Sequence, residues 1–459
     1  MTDTAAPARN MAPITSERVA LDLPILGDVP HALHGTLFRN GPNPQFPQAA
    51  QHWFTGDGMV HAFTLSDGRA SYRNAWVRTA KWKAEHRAGR ALVSGYTSQP
   101  SREGDFVDEG VANTNVIWHA NRLLALEEGH LPIELDPASL ETRGVQDFGG
   151  RLCGPFTAHP KADPITGELV FFGFSVDGEL TPGMRFGTMD AGGRVTRFEH
   201  FDAPFCSMVH DFAVTRRHVA FPVLPLGGSA ARQRRGGPPF AWDPALGSHL
   251  GLILREQGVA SLRWFRMDPC YVFHVLNAWD DGGCVVIDVM QYDEPPLFPH
   301  VDGTMRLPAP EARLVRWTID PDAGTDAIRQ QPLDDTPGEF PRIDDRRSGL
   351  RHRFGAIAGR SRPGAGLDRL VWLDLAQGSR RCFDLPAGDG LSEPVFVPRD
   401  EAAAEGDGWL LATIWRAGEG RSDLAVFDTG DVAQGPVATI RLPHRVPAGF
   451  HGNWVQAAP

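Results

Sequence analysis

The feature that most constrains this chain is a repeated alternation of short strand-like runs with helix-breaking residues. Its 459 residues include 50 Gly and 38 Pro, and both interrupt long helices. Runs rich in β-branched and aromatic residues lie between turn clusters. They are Gly167–Gly173, His218–Val223, Gly283–Val289, Leu314–Asp320, Leu370–Leu375, Trp409–Ile414 and Leu424–Asp428, and they read as strands. Two of them run into Asp320-Pro321 and Asp428-Thr429-Gly430, which suit tight connections. So many short strands over such a length predict an all-β sandwich array or a β-propeller. The repeats differ too much in sequence for blades to be counted. Helix is expected only as short pieces on loops, at Trp82–Arg90 and Pro308–Ala312. Residues 1–15 and 225–239 read as flexible, the latter carrying the Arg232–Arg235 cluster as a solvated loop. No linker divides the chain, so residues 16–459 are expected to form one domain.

Charge removes one class of partner. The 45 basic residues are outnumbered by 56 acidic ones, for a net charge of −11. Binding phosphate backbones needs a basic surface, so nucleic acid is not expected as a partner. The five cysteines (153, 206, 270, 284, 382) are scattered and odd in number, which fits a reducing compartment better than a disulfide framework. No signal-peptide pattern and no apolar run of membrane-spanning length is present. The expectation is a cytoplasmic chain, with peripheral membrane contact left open. The sequence does not define an oligomeric state.

Four histidines stand out: His159 in Thr-Ala-His-Pro-Lys, His210 in Met-Val-His-Asp-Phe, His274 in Val-Phe-His-Val and His451 in Gly-Phe-His-Gly-Asn. Taken singly, each reads more readily as a hydrogen-bonded core residue than as a ligand. A half-buried imidazole needs partners on both nitrogens, and a metal on one with a carboxylate on the other supplies them. Glu128, Glu339 and Glu393 are followed by turn-forming or apolar residues, unlike freely solvated glutamates, although an ordinary turn carboxylate is the competing reading. Imidazole suits Fe, Zn, Cu and Ni. Four imidazoles would leave room on an octahedral ion for dioxygen, which points toward Fe(II).

The order of motifs resembles the carotenoid cleavage oxygenase family, which includes apocarotenoid, lignostilbene and isoeugenol-type oxygenases. The likeness runs from about residue 18 to the C-terminus. It is carried by Leu-His-Gly-Thr-Leu-Phe-Arg-Asn-Gly-Pro-Asn-Pro (33–44), His-Trp-Phe-Thr-Gly-Asp-Gly-Met-Val-His (52–61), Ala-Asn-Thr-Asn-Val (112–116), Thr-Ala-His-Pro-Lys (157–161), Val-His-Asp-Phe (209–212), Phe-His-Val-Leu-Asn-Ala-Trp (273–279), Glu-Phe-Pro-Arg-Ile (339–343) and Ser-Glu-Pro-Val-Phe-Val-Pro (392–398). The resemblance implies a seven-bladed β-propeller with loops and short helices capping one face. It implies that His159, His210, His274 and His451 hold Fe(II), that Glu128, Glu339 and Glu393 orient the ligands, and that Thr114 crowds one open position on the iron.

The implied reaction is dioxygenase cleavage of a conjugated C=C bond by O2 into two carbonyl products, inside a dry apolar tunnel. Stilbene-cleaving relatives grip a ring and its hydroxyl with a Phe, a Tyr and a Lys. Phe54 and Tyr96 match the first two, while the Lys position falls on Glu127, which reverses the charge. A carboxylate repels a phenolate but accepts a hydrogen bond from a neutral phenol; the other reading has Glu127 facing solvent. An apocarotenoid or related polyene needs no polar clamp and ranks first. A phenylpropenoid or stilbenoid such as isoeugenol, 4-vinylguaiacol or a lignostilbene is the alternative. A propeller that binds a small hydrophobic ligand without chemistry is the third reading, and the complete set of four His and three Glu argues against it.

Overall fold

A computed structural model describes residues 10–48, 51–94, 101–102 and 108–457. Seven antiparallel sheets of four to six strands follow one another around a ring as propeller blades. Blade 2 is a simple meander of Asn115–His119, Arg122–Leu126, Ile133–Leu135 and Thr142–Val145. Blade 3 begins at Lys161–Ala162, blade 4 at Ala213–Val214, blade 5 at Tyr271–Asp281 and blade 6 at Gly338–Arg342. Blades 1 and 7 close the ring by exchanging chain ends. The C-terminal strand Gly452–Gln456 pairs with Gly35–Pro42 in blade 1, and the N-terminal strand Ile25–Gly27 pairs with Ala438–Arg441 in blade 7.

The strands read as continuous apolar runs because both faces of a blade are covered. In Arg122–Leu126, Leu123 and Ala125 pack toward Phe38 and Val60 of blade 1, while Leu124 and Leu126 pack toward Leu169 and Phe171 of blade 3. Val170 and Phe172 turn the other way, onto Val219 and Phe221 of blade 4. The period-2 alternation of a strand therefore divides neighbouring residues between two interblade cores. Each of the seven runs predicted from sequence contains or overlaps a strand: Leu169–Phe174, His218–Val223, Cys284–Tyr292, Arg313–Ile319, Arg369–Asp374, Gly408–Arg416 and Arg421–Asp428.

Three local expectations differ from the structure. Residues 10–15 do not lie free: Asn10 O accepts from Ala448 N at 2.9 Å, and Asn43 exchanges two hydrogen bonds with the Ile14 backbone. The segment 225–239 is ordered around a short helix, Ala230–Arg234, between the paired strands Leu226–Gly228 and Phe240–Trp242. Its Arg232 guanidinium donates to the carbonyls of Gly227, Pro238 and Pro239. Arg232 thus ties the turn together from within. Pro308–Ala312 forms no helix, since Pro308 and Pro310 lack the amide hydrogens that a helix uses. The other expected helix is present at Ala80–Ala88, capped by the Thr79 hydroxyl and ended by left-handed Gly89. It is clamped by Lys81, which donates to Asp57 at 2.7 Å and to Glu85 at 2.9 Å, all three groups being buried.

Candidate metal centre and cavity

The entry to the inner strand of every blade delivers one of the predicted residues. Thr114 immediately precedes the first strand of blade 2, and His159 and His210 lie two and three residues before those of blades 3 and 4. His274 and Glu339 lie inside the inner strands of blades 5 and 6, Glu393 lies just before Val395–Pro398 of blade 7, and His451 precedes the closing strand of blade 1. Sheet irregularities aim two of them. The blade 5 ladder breaks between Val272 and Val275, around His274, and the blade 6 ladder breaks between Glu339 and Arg342. A bulge turns a side chain out of its regular register. The Val275 amide beside the break donates to Asp211 at 2.8 Å, and Asp211 in turn pairs with Lys161 at 2.7 Å.

The four histidines meet, and all are buried. Nε2 of His210 lies 3.0 Å from that of His159 and 3.2 Å from that of His274, and Nε2 of His274 lies 3.1 Å from that of His451. Ligand atoms at right angles around one ion, each ~2.1 Å from it, would be ~3.0 Å apart, and tetrahedral ones ~3.4 Å. The separations thus match right-angled coordination. On the far side of three rings, Nδ1–H donates to a carboxylate: His210 to Glu128, His274 to Glu339 at 2.5 Å and His451 to Glu393 at 2.9 Å. Each bond leaves the Nε2 lone pair facing the centre. These are the features of a metal site, and the donor set fits a divalent transition ion. Among the described residues, one other trio (Asp177, His200 and Asp202) could share an ion, but it is exposed and His200 already bonds Asp177.

Electrostatics keep two of the four rings neutral. Burial, reinforced by the neighbouring rings, pushes His159 well below the usual imidazole range. Burial likewise pulls His451 down to about 4, against the opposing effect of Glu393. Burial lowers His274, but Glu339, Asp211 and Glu393 together outweigh it and raise the ring. Burial would raise Glu393, but Arg342 and His451 hold it at about 2.

The centre opens into a cavity of about 1320 Å³ on the capped face. Trp53, Phe54, Phe273, Phe340 and Phe450 line it beside Thr114 and three of the histidines. Phe54 sits 5.6 Å from Phe450 and 6.2 Å from Phe273, ring centre to ring centre. Its turn is pinned by the Asn113 amide, which donates to the carbonyls of Phe54 and Gly56. The Thr114 carbonyl accepts from the His451 backbone amide. A smaller cavity of about 460 Å³ reaches His159 from the opposite face, but Lys161, Asp211, Arg342 and Asp345 line it. An apolar ligand belongs in the first.

Glu127 lines the large cavity and does not face solvent. It bonds His130, whose pKa Glu127 raises to about 9. Tyr96 lies outside the described residues. Sequence reasoning missed His130, Tyr292 and Phe340. Phe340 adopts φ +55°, rare for a residue with a side chain. There it stacks on His274 at 5.5 Å, and its amide bonds Glu339 at 2.7 Å.

The sequence pattern of the family described as retinal pigment epithelial membrane protein matches residues 11–456. An isoeugenol monooxygenase of Pseudomonas nitroreducens is 39% identical, covering 97% of this chain and 96% of that protein. A lignostilbene-α,β-dioxygenase isozyme III of Sphingomonas paucimobilis is 34% identical, over 99% and 98%. The crystal structure of a Pseudomonas brassicacearum lignostilbene dioxygenase superposes with a TM-score of 0.94 at 35% identity, over 100% of this chain and 99% of that one.

Proposed function

The chain belongs to the retinal pigment epithelial membrane protein family, the carotenoid cleavage oxygenases, and from that membership we propose that it is a non-haem Fe(II) oxygenase that splits a conjugated C=C bond. The overall change is balanced: one alkene and one O2 give two carbonyl compounds. Ferrous ion held by His159, His210, His274 and His451 would supply binding and activation of dioxygen. The chain's own residues do the rest. Glu128, Glu339 and Glu393 keep the imidazole lone pairs turned inward. Thr114 narrows the space over the centre, and the aromatic walls fix the alkene and exclude water.

Two substrate classes fit an aromatic cavity. The charged residues in its lining, Glu127 with His130 and Arg360 near Tyr292, favour an aryl alkene such as a phenylpropenoid or stilbenoid. A hydrocarbon would displace water from the partly exposed Arg360 without replacing its hydrogen bonds. The relatives named for isoeugenol and lignostilbene support the same choice. An apocarotenoid is the second reading, favoured by the uninterrupted Phe and Trp wall beside the histidines.

The observation that carries the proposal is the convergence of four Nε2 atoms, three of them backed by glutamate. The test has two parts. Protein supplied anaerobically with Fe(II) should hold about one ion per chain, and in air it should convert one member of a panel of isoeugenol, 4-vinylguaiacol, resveratrol and an apocarotenal into paired carbonyl products. Failure to retain iron, or recovery of every alkene intact, would reject it. Peripheral membrane contact is supported by exposed Leu297, Val301, Met305 and Leu307 on the segment that borders the cavity. Co-sedimentation with vesicles that is unchanged in Leu307→Ser would reject that part.

A further inference from the structure

The two ends of the large cavity differ in charge. One end lies at blade 2, where Glu127 and Asp108 flank His130. The other lies at blades 5 and 6, three blades away and so about as far around a ring of seven as two blades can be. There Arg313, at the start of a blade 5 strand, and Arg360, just after Phe354–Gly359 of blade 6, both line the wall. Glu311 stands between them, 3.8 Å from Arg360 and 4.0 Å from Arg313. Both contacts are at the outer limit of an ion pair, and neither has the short, bidentate geometry that satisfies a guanidinium. By comparison, Arg369 holds Asp384 with two bonds of 2.5 and 2.8 Å.

Arg360 is also connected to the metal centre. Its charge acts on the Tyr292 hydroxyl, which lies beside Glu339, the partner of His274. Its Nη1 is braced by the Ala365 carbonyl in the neighbouring loop. The guanidinium is one-third exposed, so it has kept some water that a ligand can displace.

Given the alkene-cleaving reading, on which this rests, we infer that Arg360 and Arg313 form a subsite for a carboxylate on the half of the substrate remote from Glu127. The substrate class is then a two-ended aryl alkene, with a hydroxylated ring toward Glu127 and His130 and an acidic group toward blade 6. The two ends would set which way round the alkene lies over the histidines. A carboxylate turned toward Glu127 would meet like charge.

The test compares two ligands of equal size, 4′-hydroxystilbene-4-carboxylate and its 4-carboxamide. Binding to the full-length protein is read anaerobically by quenching of tryptophan fluorescence, so no turnover is needed. The carboxylate should bind about tenfold more tightly than the amide, a value reduced from that of a fully buried charged hydrogen bond by partial exposure. The preference should fall to near parity in Arg360→Gln, shrink in Arg313→Gln, and decline with added salt in the wild type. Equal binding of the two ligands by the wild type would overturn the subsite, as would a preference that survives both substitutions. If Arg360→Gln disturbs the Ala365 loop, Arg313→Gln and the salt series decide: an unchanged preference in both rejects the idea. Absence of cleavage in air would instead reject the oxygenase reading and leave the binding preference to be judged separately.

Discussion

Replacing Glu339 by Gln isolates what an outer carboxylate contributes to the metal centre. The Oε2 atom of Glu339 accepts from His274 Nδ1 at 2.5 Å and from the Phe340 amide at 2.7 Å. A glutamine of the same shape can keep its carbonyl oxygen on both donors and place its amino group where the buried, unbonded Oε1 stood, near the Tyr292 hydroxyl. The geometry survives and only the charge is lost. Charge-assisted hydrogen bonds are about twice as strong as neutral ones, and loss of such a partner behind a metal-bound histidine typically weakens affinity by about 10- to 100-fold. That corresponds to about 1.4–2.7 kcal/mol. The assay is anaerobic titration with Fe(II) or Co(II) against a competing chelator, with the thermal melt of the metal-free protein as a control for folding. A dissociation constant within about twofold of wild type, with the melt unchanged, would refute the view that Glu339 acts on the metal through His274.

His210→Ala should reduce bound metal from about one ion per chain to near none while leaving the β-sheet circular dichroism intact, because its neighbours Val209 and Phe212 carry the packing. Glu127→Gln should return His130 from about 9 toward the ordinary imidazole value near 6.5, read by NMR titration with His130→Gln for assignment. The sign is fixed: the folded-state pKa is raised, so the His130 contribution is full below about 6.5 as long as Glu127 is ionised, and is lost as pH climbs through about 9. A His130 that still titrates near 9 in the variant would show that other groups set its charge. Lys81→Met leaves Asp57 and Glu85 buried without their cation, and chemical denaturation should register a loss of about 3–5 kcal/mol; a loss under 1 kcal/mol would refute the clamp.

The parts of the fold and site that were legible from sequence share one property. They are fixed by local pattern. The strand runs were visible because interblade packing on both faces leaves them almost wholly apolar, as in Leu169–Phe172. The four histidines were visible because each stands in a strand-like, largely apolar stretch with no obvious packing role. What stayed hidden is set by contacts that the local pattern does not announce, some of them between residues distant in the chain. The raised pKa of His130 comes from a pairing with Glu127 across a turn, and the role of Tyr292 comes from Glu339 on another blade. The left-handed Phe340 gives no sequence signal, since its strain is held by contacts with His274, His451 and Glu339. The segment 225–239 was misread for the opposite reason. Its Gly, Arg and Pro content is that of a linker, but one guanidinium satisfies three carbonyls and converts it into a compact turn.

Charge explains why the glutamates stand behind the ligands and not among them. Four neutral imidazoles offset none of the charge of a buried dication. Glu128, Glu339 and Glu393 bring three negative charges, one of which Arg342 meets at 3.3 Å from Glu393. Buried Arg39 also acts on Glu393, a divalent ion would meet the remaining charge, and Arg342's further partner, Asp345, is 68% exposed. The cluster is therefore negative without an ion, and Glu339, Asp211 and Glu393 raise His274 against its burial. Were the carboxylates ligands themselves, the same charge would be matched, but coordination positions would be taken from dioxygen. Acting through Nδ1–H, each carboxylate makes its imidazole a stronger donor and leaves the cavity side of the centre open. The seven inner strands are thus divided by purpose. Four present nitrogen, two present carboxylates behind those rings, and the seventh, through Thr114, faces the space the substrate must enter.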